Sequence, residues 1–431
     1  MLSTVQTLAD PTSAPGRRFA ADLSAALQTA STANVARTRT TQSKEFGLWA
    51  AFCDEVGVKP TLDDIPEIQD RLNYLIVFAY RYRQRPGRSQ DHVRTGSISK
   101  ILTAVGKGIT DLGGQDPRFP YVGSKKYYPV LQDFMDALRK QDDPSSRTYP
   151  ANVTVIRAVD EALDKEHAVF GAMQLHTIDL IIVAFFWLMR PAEYTGDNLN
   201  RPDNARSESF LFHHITFVIG GTAYPAPTAP LNDAQNIKLI QHAYLTFSDQ
   251  KNAVKGEQIG HSATNDDFFC GVKALGRIVH RYRQYGAPPD TPICRHYNPA
   301  NKSWYDIKSR HITNALRHGA ELCRSTTGID PALLSARSLR PGGATALMMA
   351  NIDTDHICLM GRWKSDAMFR YLRIQAATNK RAFAQRMLDN GAYTFAPAAY
   401  QQGSALPQET PPALRAVLDL TSADDSDIDS D

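Results

Sequence analysis

Long apolar runs are largely missing from this 431-residue chain. The longest, from Leu180 to Met189, is about half of what a bilayer span requires, so a membrane protein is not expected. No basic, apolar, small-residue leader opens the sequence, so secretion is not expected either. Cysteine is scarce: five residues, widely spaced, with no CxxC pair and no Cys/His cluster at zinc-finger spacing. That pattern excludes a disulfide framework and a structural zinc, and fits buried reduced thiols in an intracellular protein. An apolar share of 42% with 22% charged residues excludes a collagen, a coiled-coil rod and a mostly disordered chain.

A surplus of one charge sign is also nearly absent, at +3 overall, but the charge is unevenly placed. Residues 396–431 hold seven acids and one base, a net of −6, which leaves +9 on residues 1–395. A basic body with an acidic tail points weakly to a polyanionic partner.

The first seventeen residues, rich in Ser, Thr, Pro and Ala, read as a flexible arm. From 18 to 140 the apolar spacing is helical. Phe46, Trp49, Ala50 and Cys53 follow the i, i+3, i+4, i+7 rule, as do Leu72, Leu75, Ile76 and Ala79. Breaks at 57–60, 85–87 and 113–120 divide this stretch into four or five helices with no strand signal. Within it, Arg81, Arg83, Arg85, Arg88, Arg94 and Lys100 mix with Tyr80 and Tyr82; a solvated helix face is the ordinary reading of such a run. Residues 141–150 have the composition of a linker. Beyond it, helices are expected at 152–167 and 172–189. A three-stranded antiparallel sheet is expected at 209–219, 244–248 and 257–261, with a long excursion through 225–236. Helices return at 267–286, 308–325, 331–336, 341–350, 353–360 and 365–373, and 393–431 is expected to be a disordered acidic tail. The expected class is mainly α with a small antiparallel β-sheet (α+β), in two domains, 18–140 and 151–392.

Arg190 closes the most apolar helical run, in Trp187-Leu-Met-Arg-Pro-Ala-Glu193. A guanidinium there needs an anion or a carboxylate, and Glu193, three residues on, is its natural orienting partner. The alternative is a helix-terminal Arg satisfying backbone carbonyls. Further on stand SLRPGGAT (338–345), IDTDHICLMGRW (352–363) and KSDAMFRYLR (364–373). In these strings the chain resembles the tyrosine recombinase (phage integrase) superfamily, and looks closest to its Crypton- or DIRS-like branch carried by eukaryotic mobile elements. Motifs carry the likeness over roughly 150–390; over 20–140 only the helical layout does.

The resemblance implies cleavage and rejoining of DNA through a 3′-phosphotyrosyl link, with no metal, ATP or other cofactor. A phosphodiester under attack carries charge on its non-bridging oxygens, and the bidentate, always-charged guanidinium suits it. Arg190 and Arg340 would be the clamps, with Arg340 just before a helix whose first turn holds Pro341. Tyr371, 31 residues beyond Arg340, would be the nucleophile. Lys251, between the second and third expected strands, would protonate the leaving 5′ oxygen, with Lys255 as the nearby competitor. Trp363 would sit beside the scissile phosphate, although counting back from Tyr371 gives that slot to Arg362. One residue departs from the pattern: the family commonly shows His-x-x-Arg, and here the His position is Arg337, which cannot act as a base near neutral pH. His311, His318 and His356 are candidate substitutes with no supporting spacing.

The implied partner is double-stranded DNA, bound by a homodimer or tetramer, with residence in the nucleus if the source is eukaryotic. Three other readings remain open. They are a catalytically decayed DNA-binding protein, a type IB topoisomerase-like DNA-relaxing enzyme, and a helical scaffold in which Arg190 and Arg340 merely pair with carboxylates. In the tail, Val417, Leu418, Asp419, Leu420 and Thr421 followed by acids resemble a SUMO-interacting motif. An acidic solubilising tail is the commoner meaning of such a run.

Overall fold

The computed structural model describes residues 14–31, 36–86, 92–143, 148–162, 170–197, 199, 209–247 and 256–363. They fall into two compact units, one within Met1–Ser145 and the other within Ser146–Ser422. The class is mainly α with small antiparallel sheets. Among the described residues, no helix is long and apolar enough to cross a membrane.

The first unit holds α1 (Ala14–Ser31), α2 (Ala36–Val56), α3 (Ile68–Arg83), α4 (Thr95–Asp111) and α5 (Pro129–Gln141), and no strand among its described residues. Helix α1 begins at Ala14, so the expected arm is shorter than seventeen residues. Trp49, Phe52 and Phe78 form its aromatic centre, with Trp49 and Phe78 edge to face at 5.2 Å. The indole N–H of Trp49 donates to the Pro60 carbonyl at 2.8 Å, which fastens the turn after α2. Gly108 lets α4 approach α2, because a Cβ there would meet the Phe46 ring at 2.1 Å. The basic run is not a uniform solvated face. Arg83 is 4% exposed and donates to Asp142 at 2.8 Å, while Arg81 pairs with Glu55 in solvent and Arg85 lies over the Tyr82 ring. Arg88 lies outside the described residues.

The second unit opens with α6 (Val153–Glu161), α7 (Phe170–Phe186) and the single turn α8 (Pro191–Tyr194). Its main sheet has four strands, not three. These are β1 (Ile215–Ile219), β2 (Thr222–Pro225), β3 (Ile240–Phe247) and β4 (Glu257–Ser262), antiparallel in the order β2-β1-β3-β4. The extra strand is β2, which turns back on β1 through Gly220 and Gly221, both at positive φ. A one-sided burial signal is missing from β2, whose residues are mostly exposed, and so it reads as loop. Helix α9 (Gly271–Gln284) follows, and then an unexpected hairpin, β5 (Arg295–Asn298) with β6 (Ser303–Asp306). Four-residue strands are too short for a period of two to stand out. The unit continues through α10 (Ser309–Leu322), α11 (Arg324–Thr327), α12 (Leu339–Met349) and α13 (Thr354–Gly361). The expected helix at 365–373, and the tail, lie outside the described residues.

Its core is built on α7, where Leu180, Ile181, Ile182, Val183 and Ala184 are all fully buried. The start of α12 packs directly on the end of α7, and two glycines permit it. A Cβ on Gly343 would meet the Phe185 carbonyl oxygen at 2.2 Å, and one on Gly342 the Ala151 carbonyl oxygen at 2.1 Å. This contact brings two distant motifs together.

Candidate functional site

The apolar run of α7 ends in a turn at Trp187 and Leu188, where Leu188 takes a left-handed backbone (φ 48°). The turn aims the Leu188 carbonyl at two arginines: Arg340 Nη1 donates to it at 3.0 Å and Arg362 Nη2 at 3.3 Å. Arg190 then caps α8. Its backbone N–H donates to Glu193 Oε2 at 2.8 Å and its Nη1 to Oε1 at 3.1 Å. Glu193 Oε2 also accepts from Arg362 Nη2 at 2.9 Å, so one carboxylate joins guanidiniums 172 residues apart in the chain.

Burial is graded across the cluster. The Arg362 side chain is wholly buried, that of Glu193 is 5% exposed and that of Arg190 is 15% exposed. Burial by itself would raise the Glu193 carboxyl. Arg362, Arg190 and Arg340 outweigh it and hold the group below the usual carboxylate range. Three guanidiniums thus act on one ionised carboxylate, and Glu257 adds a second acid that acts on Arg362.

Arg340 lies within the first turn of α12, not before it, with Ser338 as the cap. Its second amino group donates to the Gly361 carbonyl at 2.5 Å, and the Trp363 ring covers its guanidinium at 4.2 Å. Trp363 is therefore a lid on Arg340. Arg362, at the C-terminal cap of α13, is also left-handed (φ 57°), in a position that usually goes to glycine. Holding an arginine there costs about 1–2 kcal/mol, which its pairing with Glu193 offsets. Its other face lies on the Phe247 ring at 3.6 Å, which ties the end of β3 to the cluster. Arg337 is exposed, with its backbone N–H bonded to Ser335 Oγ.

The structure thus gathers Arg190, Glu193, Arg340, Arg362 and Trp363 in one place. Lys251 and its competitor Lys255 lie in the connection from β3 to β4, and Tyr371 lies beyond Trp363; all three fall outside the described residues. The Arg362–Glu193 pair and the Phe247 contact were not legible in the sequence, because no spacing rule links those positions. Tyr194 was missed as well: fully buried, it donates to the Ala336 carbonyl at 2.7 Å and anchors the segment carrying Arg337 and Arg340. The signal available was an aromatic next to the Arg-x-x-Glu string. Of the candidate histidines, His311 is half-buried and its Nδ1 accepts from the Lys308 backbone, while His356 is exposed beside Asp353. Among the described residues, no group of three His, Cys, Asp or Glu is placed to hold a metal ion.

No protein-family model matches the chain, and no curated protein matches it. Among solved structures it is similar to a fragment of the Tn1549 transposon integrase in complex with a circular intermediate DNA. The two are 12% identical, the match covers 84% of this chain and 97% of the other, and the TM-score is 0.41. The same integrase in complex with transposon right end DNA is 8% identical, with 74% and 85% covered and a TM-score of 0.38.

Proposed function

We propose that the chain is a tyrosine recombinase that cleaves and rejoins duplex DNA. The observation that carries this reading is the cluster around Glu193: three arginines drawn to one buried carboxylate, gathered against an apolar wall where water screens them poorly. Structural pairing alone needs one arginine per carboxylate, and the surplus suits a phosphate. In this reading the Tyr371 oxygen attacks the phosphorus, the bond to the 5′ oxygen breaks, and Lys251 supplies that oxygen's proton. Arg190 and Arg340 hold the non-bridging oxygens, and Glu193 and Arg362 position Arg190. The helical unit serves as the core-binding module and the second unit as the catalytic one. The protein acts on DNA as a dimer or tetramer and, by its likeness to eukaryotic mobile elements, in a nucleus.

Covalent capture tests this. The full chain is incubated with supercoiled DNA bearing the flanks of its own gene, denatured, and scored for protein-linked DNA beside Tyr371→Phe. An adduct in wild type that disappears in Tyr371→Phe is the expected result. A second reading, a recombinase-derived DNA-binding protein without turnover, is favoured by Arg337 in the His position and by the carbonyl bonds that occupy Arg340. It predicts salt-sensitive DNA binding with no adduct in either protein.

A further inference from the structure

A second basic concavity lies on the second unit, away from the cluster. It is an open groove of about 410 Å³ between α9 and the 3₁₀ stretch Ala234–Leu239. Lys273, Arg277 and Arg281 recur on α9 at intervals of four and share one helix face. Lys238, exposed on the 3₁₀ stretch, stands on the opposite wall with Gln235. Two carboxylates meet these four cations. Asp267 accepts from Lys273 Nζ at 2.7 Å, and Asp179, buried on α7, accepts from Arg277 Nε at 2.7 Å and from Arg281 at 2.6 Å. Two positive charges are left over here.

Arg281 Nε is buried and makes no hydrogen bond, although burying such a donor unpaired is costly. His280 donates from Nδ1 to the Leu231 carbonyl, which orients its ring on the groove wall. Arg277, by contrast, spends both amino groups on the carbonyls of Asp267 and Phe268, which fixes the floor. Asp179 precedes the end of α7 by seven residues, about 10 Å of helix, so the groove is distinct from the turn that carries Leu188. The volume exceeds what a single phosphate fills and is typical of a small-ligand site.

We propose that this groove binds linked phosphate groups, as a second anion site independent of the cluster around Glu193. The inference does not rest on the recombinase reading. Titration calorimetry of the full chain with sodium tripolyphosphate at low salt tests it, using wild type, Lys238→Glu, Gln235→Glu and Arg81→Ala. Thermal melts confirm that each variant is folded. Lys238→Glu is expected to weaken binding about tenfold and Gln235→Glu about threefold, with the exposed Arg81→Ala unchanged. No binding to wild type overturns the proposal. So does binding that Lys238→Glu leaves unchanged, and so does equal affinity for citrate. A short DNA duplex added to the complex then identifies the source. Displacement assigns the groove to a nucleic-acid backbone, and its failure assigns it to a free oligophosphate; either supports a phosphate site.

Discussion

In the first unit a buried arginine has a carboxylate to itself. Arg83 pairs with Asp142, and Arg118 with Asp116, each at 2.8 Å. In the second unit, arginines crowd the acids: Arg190 and Arg362 on Glu193 with Arg340 beside them, and Arg277 and Arg281 on Asp179. One-to-one pairing neutralises charge and is sufficient to hold elements together. Crowding keeps like charges close in a poorly screened interior, which costs energy that an added anion would offset. The contrast separates two uses of a buried arginine, one paired with its own acid and one sharing an acid, although the residue type is the same.

The sharpest way to break this comparison is Glu193→Gln, which leaves the wholly buried Arg362 guanidinium without its counter-charge. A loss of about 3–5 kcal/mol in the unfolding of the second unit is expected by chemical denaturation. A loss below 1 kcal/mol would mean that the cluster is not held by Glu193.

Acid should separate the two units as well. Burial depresses His261, packed edge to face on Trp187 at 4.6 Å, to about 4, and His214 also to about 4. The unfolded chain protonates such histidines near 6.5, whereas the folded one resists until about 4. The stability of the second unit is therefore full above 6.5, falls as pH drops toward 4, and then levels off. His261→Phe should remove at most about 3 kcal/mol of that loss, read from denaturation midpoints at pH 7 and 4.5. Asp142 has the opposite timing. Burial would raise its carboxyl, but hydrogen bonds from Arg83 and Thr95 hold it below the ordinary value of 3.8. Its contribution is present above that value and is lost only as pH falls through the depressed one.

Asp142→Asn is a milder break, because Arg83 keeps the Val93 carbonyl as a second partner. About 2 kcal/mol is expected, confined to unfolding of the first unit. The smallest effect belongs to Arg81→Ala. Its pair with Glu55 is exposed on both sides, and a change within about 0.5 kcal/mol is expected in the same denaturation series.

The helices of the first unit were legible because apolar spacing and Gly/Pro breaks repeat over many residues. Strands β1 and β3 were found through β-branched and aromatic residues between Gly and Asn breaks, although the expected 209–219 begins before β1 and the expected 244–248 misses the first half of β3. The short β2 and the β5–β6 hairpin were not, since pairing across a turn, not side-chain pattern, holds four-residue strands together. At the site, Arg190 with Glu193 and Arg340 with its glycines could be picked out because each pair of signals sits within a few residues. That Arg362 is the other half of the Glu193 pair, and that Arg83 is interior, could not.

The sequence by itself determined the class of the protein, the basic body with its acidic tail, and the residue types available for phosphate chemistry. Those follow from composition and local period, which depend on near neighbours along the chain. Only the tertiary structure decided which arginines share a carboxylate, because such pairs join positions 59, 102 and 169 residues apart. The Arg362–Glu193 partnership depends on where α7 ends and on how closely Gly343 lets α12 approach it. Burial then changes their electrostatics: a guanidinium on the surface is screened by water, and the same group crowded against one buried carboxylate is screened poorly.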